Sequence, residues 1–300
     1  MSALPRVGFV GLGAMGLPMA RILVDKGFRV AGCDVRPEPP RALAAAGGEA
    51  ASTPAEAASG ADCLLLMVVN ADQAEDVLFG AGAAAAALSP GAVVAACCTQ
   101  PAGRARALAD RLDEVGMLFV DAPVSGGVVG AAAGQLSIMA SGAPAAIDKA
   151  APVLGALAKA VWNMGAEPGL GSMMKTVNQL MCGAHIAVAA EAMVLARTAG
   201  LDLALAQQVL KAGAANSWML ENRGPRMLED DPEVTSAVDI FVKDLGIVLA
   251  AGETARTALP MAALARQMFL AASGMGLGAA DDSQVVRAFE ALSPHNDLKG

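Results

Sequence analysis

The sequence predicts an α/β protein whose first half is a doubly wound parallel sheet and whose second half is all helix. Three observations carry that expectation. Between residues 6 and 162, short apolar runs alternate with helical patterns, the layout of parallel strands joined by crossover helices. Most of these runs are β-branched or leucine-rich without polar alternation, as strands buried on both faces should be. Past Gly165-Ala166-Glu167-Pro168-Gly169 the strand pattern stops, and helical periodicity punctuated by glycine and proline continues to residue 291.

Strands are expected at 6–10, 29–34, 63–69, 93–97, 118–121, 136–141 and 160–162. A hinge follows at 165–171, then a long helix over 172–199 without proline, and further helices broken at Gly200, Gly224-Pro225, Pro232, Gly252, Pro260 and Gly274. The 300 residues are twice the ~150 of a typical domain, which suits a boundary between 1–165 and 166–300. The alanine run at 81–87 reads as a surface helix. Uncharged stretches at 77–103 and 122–147 are long enough to raise the question of membrane spans. Ser89-Pro90-Gly91 breaks the first and Ser125-Gly126-Gly127, Gly130 and Gly134 the second, so both read as short buried elements and no membrane partner is expected.

Composition excludes several classes. With 55% hydrophobic and 17% charged residues the chain is too apolar to stay disordered. A net charge of −8 and the lack of any Lys/Arg run argue against nucleic acid. An anionic ligand must therefore be held locally, by backbone N–H groups, helix N-termini and single lysines. Five cysteines without metal-type spacing read as thiols of a cytoplasmic protein, and no zinc site is expected from His185 and His295, the latter in an exposed tail.

Gly11-Leu12-Gly13-Ala14-Met15-Gly16 follows an expected strand and opens an expected helix, the context that makes G-x-G-x-x-G a dinucleotide-binding motif of Rossmann type. Gly11 allows the tight turn, Gly13 lets the backbone approach a pyrophosphate, and Gly16 lets the helix pack on the strand, with Ala14 and Met15 between them. Asp34, at the end of the second strand, is placed to accept hydrogen bonds from ribose hydroxyls and favours NAD. Arg36 keeps NADP open, because a guanidinium can pair with a 2′-phosphate.

On the long helix, Lys175, Asn178 and Gln179 share one face. The plainer reading is a solvated polar face. Alcohol oxidation needs a base for the hydroxyl proton, however, and His185 lies roughly 15 Å along the helix from Lys175. Lys175 is the better candidate, provided burial lowers its pKa from ~10.4.

Gly8-Phe9-Val10-Gly11-Leu12-Gly13-Ala14-Met15-Gly16, Asp121-Ala122-Pro123-Val124-Ser125-Gly126-Gly127, residues 169–179 and Lys243-Asp244-Leu245 together resemble the ordered signatures of the β-hydroxyacid dehydrogenase family. The resemblance implies a Rossmann-type N-domain, a long interdomain helix and an all-α C-domain. It implies that Lys175 is catalytic, that Ser125, Gly126 and Gly127 bind the substrate carboxylate, and that Asn178 or Gln179 orients the substrate hydroxyl. Thr99 would contact the nicotinamide end of the cofactor, Asn70 would lie with the cofactor contacts, and Lys243 would approach cofactor or substrate, held by Asp244. Read without the family, Lys243 is a solvated helix charge.

Within the family, residues 69–73, 165–169, 216–223 and 236–244 are most similar to members acting on a four-carbon sugar acid such as L-threonate. Asn216, Ser217 and Asn222 would suit extra hydroxyls, although Asn216 or Ser217 could equally cap a helix, and Trp218 reads as core or interface packing. Oxidation of 3-hydroxyisobutyrate and reduction of tartronate or succinic semialdehyde use the same machinery. A non-catalytic dinucleotide sensor is the alternative of a different class. The family also implies a homodimer or homotetramer.

Overall fold

The computed structural model describes residues 4–293; His295 lies outside the described residues. The chain divides into two compact units, Met1–Lys175 and Thr176–Gly300. The division falls inside the long helix, whose first turn is hydrogen-bonded to the sheet.

The first unit holds nine strands: β1 Val7–Val10, β2 Val30–Cys33, β3 Glu49–Ala50, β4 Cys63–Leu66, β5 Val93–Ala96, β6 Leu118–Asp121, β7 Val124–Ser125, β8 Leu136–Ser141 and β9 Ala158–Gly165. They form one sheet in the order β3-β2-β1-β4-β5-β6-β8-β7, with β9 on the other edge of β8. Strands β1 to β6 are parallel, and β8 runs antiparallel to β6 and β7. All seven expected strands are present. Strands β3 and β7 escaped notice because two residues cannot show a period.

The apolar runs are explained by what lies on each side. Phe9, Cys63 and Leu65 point into one core with Met19, Leu23 and Leu154, while Val10, Leu64 and Leu66 point into the other with Leu78, Leu112 and Phe119. Burying each large side chain is worth ~1.5–3 kcal/mol, so neither face tolerates a polar residue. The alanine run departs from expectation: only Ala84–Ala87 is helical, and Ala84 and Ala85 are buried in the second core instead of lying on the surface. Alanine's small side chain is what lets so short a turn pack closely there.

In the second unit every regular element among the described residues is helical. Ile186, Met193, Phe241, Leu245 and Phe269 share a core in which the Phe241 and Phe269 rings stack at 5.0 Å. Ser217, not Asn216, caps Trp218–Arg223, its hydroxyl accepting the Leu220 N–H at 3.0 Å. Trp218, expected in core or interface packing, is half exposed and so not a core residue, with the Arg223 guanidinium 5.8 Å from its ring centroid. A buried ionic network closes the unit: Arg223 donates twice to Asp282, at 2.9 Å each, and Arg226 once to Asp281 at 2.7 Å. Helix Leu170–Thr198 is long and apolar enough to cross a membrane by length and composition, yet half of that stretch is buried within the protein, as in a core helix.

Candidate active site

The sheet's strand order reverses at β1, which lies between β2 and β4, and in open α/β sheets ligands bind beyond the carboxyl ends of the strands at such a point. The register brings the expected cofactor residues of the first unit, at 11–16, 34, 70 and 99, toward that edge, whereas Lys243 and Asp244 lie in the second unit. Val10, Leu66, Ala96 and Asp121 stand in one row, and the next residues continue the ladder through Met67 N–H to Val10 O, Cys97 N–H to Leu66 O and Ala122 N–H to Ala96 O. The loops that begin at Gly11, Met67, Cys97 and Ala122 therefore emerge side by side.

The three motif glycines have different causes. Gly11 has φ +92°, and a Cβ there would stand 2.4 Å from the Met67 carbonyl oxygen. At Gly16 a Cβ would stand 1.8 Å from the Gly11 oxygen. At Gly13 the nearest atom to a Cβ is the tip of Arg36, 3.9 Å away, so nothing in the chain itself demands glycine. The helix Gly16–Asp25, entered through Ala14 and its N-cap Met15, has no side-chain cap and no acidic residue in its first turn, as is also true of Ala102–Asp113 and Pro144–Leu157. An uncapped N-terminus behind an unobstructed glycine fits a dinucleotide pyrophosphate.

Asp34 is nearly buried beside this loop. One carboxylate oxygen accepts the Leu12 N–H at 2.8 Å and the other accepts the Arg36 N–H at 3.0 Å and its Nε–H at 3.2 Å. The exposed Arg36 is thus held by the carboxylate. Asn70 caps Ala71–Phe79 by accepting the Gln73 N–H at 2.9 Å, while Gln73 Oε1 accepts the Val69 N–H at 2.9 Å. Thr99, half buried, follows β5.

Past β6, strand β7 pairs Ser125 with Ser137 of β8. Gly126 at φ +129° and Gly127 at φ +61° then turn the backbone into the helix Gly127–Ala133. The sequence reading missed the buried hydrogen bonds of Asp121 and Ser141. Asp121 is fully buried and accepts the N–H groups of Gly169 at 3.1 Å and Ser172 at 2.7 Å and the Ser172 hydroxyl at 2.7 Å, while Ser141 Oγ accepts the Gly171 N–H at 2.9 Å. Burial pushes the Asp121 carboxyl above its ordinary value, with the donors from Ser172, Gly169 and Ser141 pulling the other way. The signal was local: an aspartate closing an apolar strand, where a solvated charge has no place.

Helix Leu170–Thr198 inverts the usual pattern. Lys175 and Gln179 are buried, at 8% and 7% exposure, while Met173, Met174 and Val177 are exposed. The face is therefore not a solvated one. In the second unit, Gln179 Nε2 donates to Asp244 at 2.5 Å, Asp244 pairs with Lys243 at 2.8 Å, and Asn178 Nδ2 donates to Gln179 Oε1 at 2.9 Å and toward Cys182 Sγ at 3.3 Å. Four of the expected residues thus form one chain of contacts. Gln179 and Asp244 are buried in its interior, while Asn178 and Lys243 at its ends are partly exposed.

Residues 6–165 match the family model described as the NAD binding domain of 6-phosphogluconate dehydrogenase, and residues 169–289 the one described as NAD-binding of NADP-dependent 3-hydroxyisobutyrate dehydrogenase. The chain belongs to the β-hydroxyacid dehydrogenase family. The dehydrogenase is 49% identical to the L-threonate dehydrogenase of Cupriavidus necator over 95% of this chain and 96% of that protein. It is 43% identical to that of Escherichia coli, over 96% and 95% respectively. Among solved structures, 3-hydroxyisobutyrate dehydrogenase from Salmonella typhimurium matches with a TM-score of 0.91 at 42% identity, covering 95% of this chain and 99% of that one. The Mycobacterium tuberculosis enzyme of that name, with L-serine, matches at 0.81 and 28% identity, with the same coverage. The dehydrogenase is accordingly an NAD(P)-dependent oxidoreductase acting on a hydroxy acid.

Proposed function

We propose that the dehydrogenase oxidises a four-carbon sugar acid, L-threonate, with Lys175 as general base. The observation that carries the mechanism is the buried lysine on a helix whose neighbouring methionines and valine face outward. A lysine is seldom buried without a chemical or ionic reason. The near full-length likeness to L-threonate dehydrogenases supports the substrate.

When bound, the nicotinamide dinucleotide supplies the hydride acceptor. Gly11, Gly13, Ala14, Met15 and Gly16 would hold its pyrophosphate through backbone N–H groups, Asp34 its ribose, and Asn70 and Thr99 would line the same edge. Ser125, Gly126 and Gly127 anchor the substrate carboxylate through a hydroxyl and N–H groups, the local means open to an acidic protein. Asn178 orients the substrate hydroxyl, and Gln179, tied to Asp244, holds Asn178. Lys243, paired with the same aspartate, would be a further contact for cofactor or substrate. Lys175 takes the hydroxyl proton in oxidation and returns it in reduction. We further read the protein as a cytoplasmic homo-oligomer with no nucleic-acid or membrane partner.

The test is NADH formation with L-threonate, D-erythronate, D-glycerate and 3-hydroxyisobutyrate, for wild type and Lys175→Ala. Loss of a general base should lower kcat by about 10²–10⁴-fold. Turnover surviving intact in the variant would sink the mechanism. Preference for 3-hydroxyisobutyrate would favour the reading suggested by the Salmonella structure, and NADH binding without any turnover would favour a sensor.

A further inference from the structure

We infer that Asp121 is a positioning residue for Lys175, holding the first turn of the catalytic helix against the ends of β6 and β8. The inference rests on the reading of Lys175 as the proton-transfer group.

Helices are usually capped by a short polar side chain next to their first residue, which stabilises the helix wherever it lies. Helix Leu170–Thr198 is served differently. Its N–H donors at Gly169 and Ser172 are satisfied by a carboxylate 48 and 51 residues upstream. Gly171 is satisfied by Ser141, 30 residues upstream. Asp121 and Ser141 are themselves paired across β6 and β8. A cap delivered from the sheet fixes the helix in place as well as stabilising it.

Close approach is built in at the same point. A Cβ on Gly171 would stand 2.3 Å from the Met139 carbonyl oxygen and 2.7 Å from that of Asp121, so the helix begins in contact with the strand backbones. Lys175 follows Ser172 by three residues, a rise of ~4.5 Å, too short a span for the helix to absorb a shift of its first turn. Proton transfer needs the amine within hydrogen-bond reach of the substrate hydroxyl, and a misplacement of ~1 Å can cost ~10²-fold.

The experiment measures kcat for L-threonate oxidation, or for whichever panel substrate turns over, together with NADH affinity by fluorescence titration, on the full-length protein. Asp121→Ala should lower kcat by about 10–100-fold while NADH affinity stays within about twofold, because the cradle at residues 11–16 is untouched. Asp121→Asn should recover most of kcat: one amide oxygen can accept both N–H groups and the amide can donate to the Ser172 hydroxyl. Combined with Lys175→Ala, Asp121→Ala should lower residual turnover no further, a non-additivity that a merely structural residue would not show.

Asp121→Ala with wild-type kcat, or a double variant whose losses multiply, would overturn the proposal. Lys175→Ala, measured alone, separates the two readings: if it retains full activity the underlying mechanism fails, and if it is inactive while Asp121→Ala is not, only the positioning role fails. Should Asp121→Ala prove insoluble, Ser172→Ala decides, since it removes the 2.7 Å hydroxyl contact to Asp121 while leaving the carboxylate and the Gly169 and Ser172 N–H groups in place. A kcat lowered by roughly threefold or more is then expected, and an unchanged kcat overturns the proposal.

Discussion

Gly13→Ala separates what the fold demands of the glycine loop from what a ligand demands. Its Cβ would meet nothing nearer than the Arg36 tip at 3.9 Å, and Gly13 is not among the glycines with positive φ. The free protein should tolerate the methyl and gain up to ~0.4–1 kcal/mol, because alanine restricts the unfolded chain. Gly16→Ala is the contrasting control: its Cβ would stand 1.8 Å from the Gly11 oxygen, roughly half of the ~3.5 Å contact distance, and the backbone must move. In the bound state the Gly13 methyl occupies the approach to the pyrophosphate, so NADH affinity should fall about tenfold or more. Thermal unfolding with and without NADH reads both effects. At NADH near 100 times the wild-type Kd, binding adds about 2.7 kcal/mol to the wild type and about 1.4 to a variant with tenfold weaker affinity. Gly13→Ala should thus start at or above the wild-type Tm and show about half the NADH-induced rise. An undiminished rise, or a ligand-free Tm lowered by more than about 1 kcal/mol would predict, refutes the assignment.

Two further outcomes follow from charged groups. Asp34→Ser removes the acceptor that holds Arg36 and the charge that repels a 2′-phosphate, so the ratio of kcat/KM with NADP to that with NAD should rise by about tenfold or more; an unchanged ratio would show that Arg36 does not reach the ribose. For Asp281, burial alone would raise the carboxyl, but Ser283, the Thr235 N–H and Arg226 outweigh it and hold it below its ordinary 3.8. The folded state then binds that proton less readily than the unfolded one, so the stability Asp281 contributes is complete above its unfolded pKa and lost as pH falls through the folded value. Asp281→Asn should flatten the acid side of the Tm-against-pH profile below about pH 4, and a profile merely displaced downward would contradict this.

Much of the fold was legible because the strands had no polar face to hide. Val7–Val10, Cys63–Leu66 and Val93–Ala96 are buried at every residue, and only an element covered on both sides produces such runs. Strand β9 was legible only at its centre, since Lys159, Val161, Trp162 and Asn163 lie exposed and leave a weaker signal. The cofactor loop was legible because glycine spacing is local. The chain from Lys243 through Asp244 and Gln179 to Asn178 was not, because it joins residues 65 positions apart. Sequence gave candidates for the hydroxyl-orienting residue, and only packing distinguished the buried Gln179 from the half-exposed Asn178.

The distribution of carboxylates narrows where the substrate's own carboxylate can be held. A chain of net charge −8 offers an anion few places beyond exposed backbone N–H groups. The N-terminus of helix Leu170–Thr198 is the nearest such place to Lys175 in sequence, but its N–H groups at Gly169, Gly171 and Ser172 already have acceptors in Asp121 and Ser141. A second anion there would meet the Asp121 charge and find those donors engaged. The helix Gly16–Asp25, with no carboxylate in its first turn, is suited to the pyrophosphate instead. Two places remain at these strand ends: the N-terminus of helix Ala102–Asp113, which has no side-chain cap and no acidic residue in its first turn, and the turn at Ser125, Gly126 and Gly127, where two successive positive-φ glycines redirect the backbone and no acidic side chain lies between Asp121 and the end of the helix at Ala133. On electrostatic grounds, then, the buried Asp121 engages the first-turn donors of the lysine's helix, and that engagement favours the serine–glycine turn in the proposed placement of the substrate carboxylate.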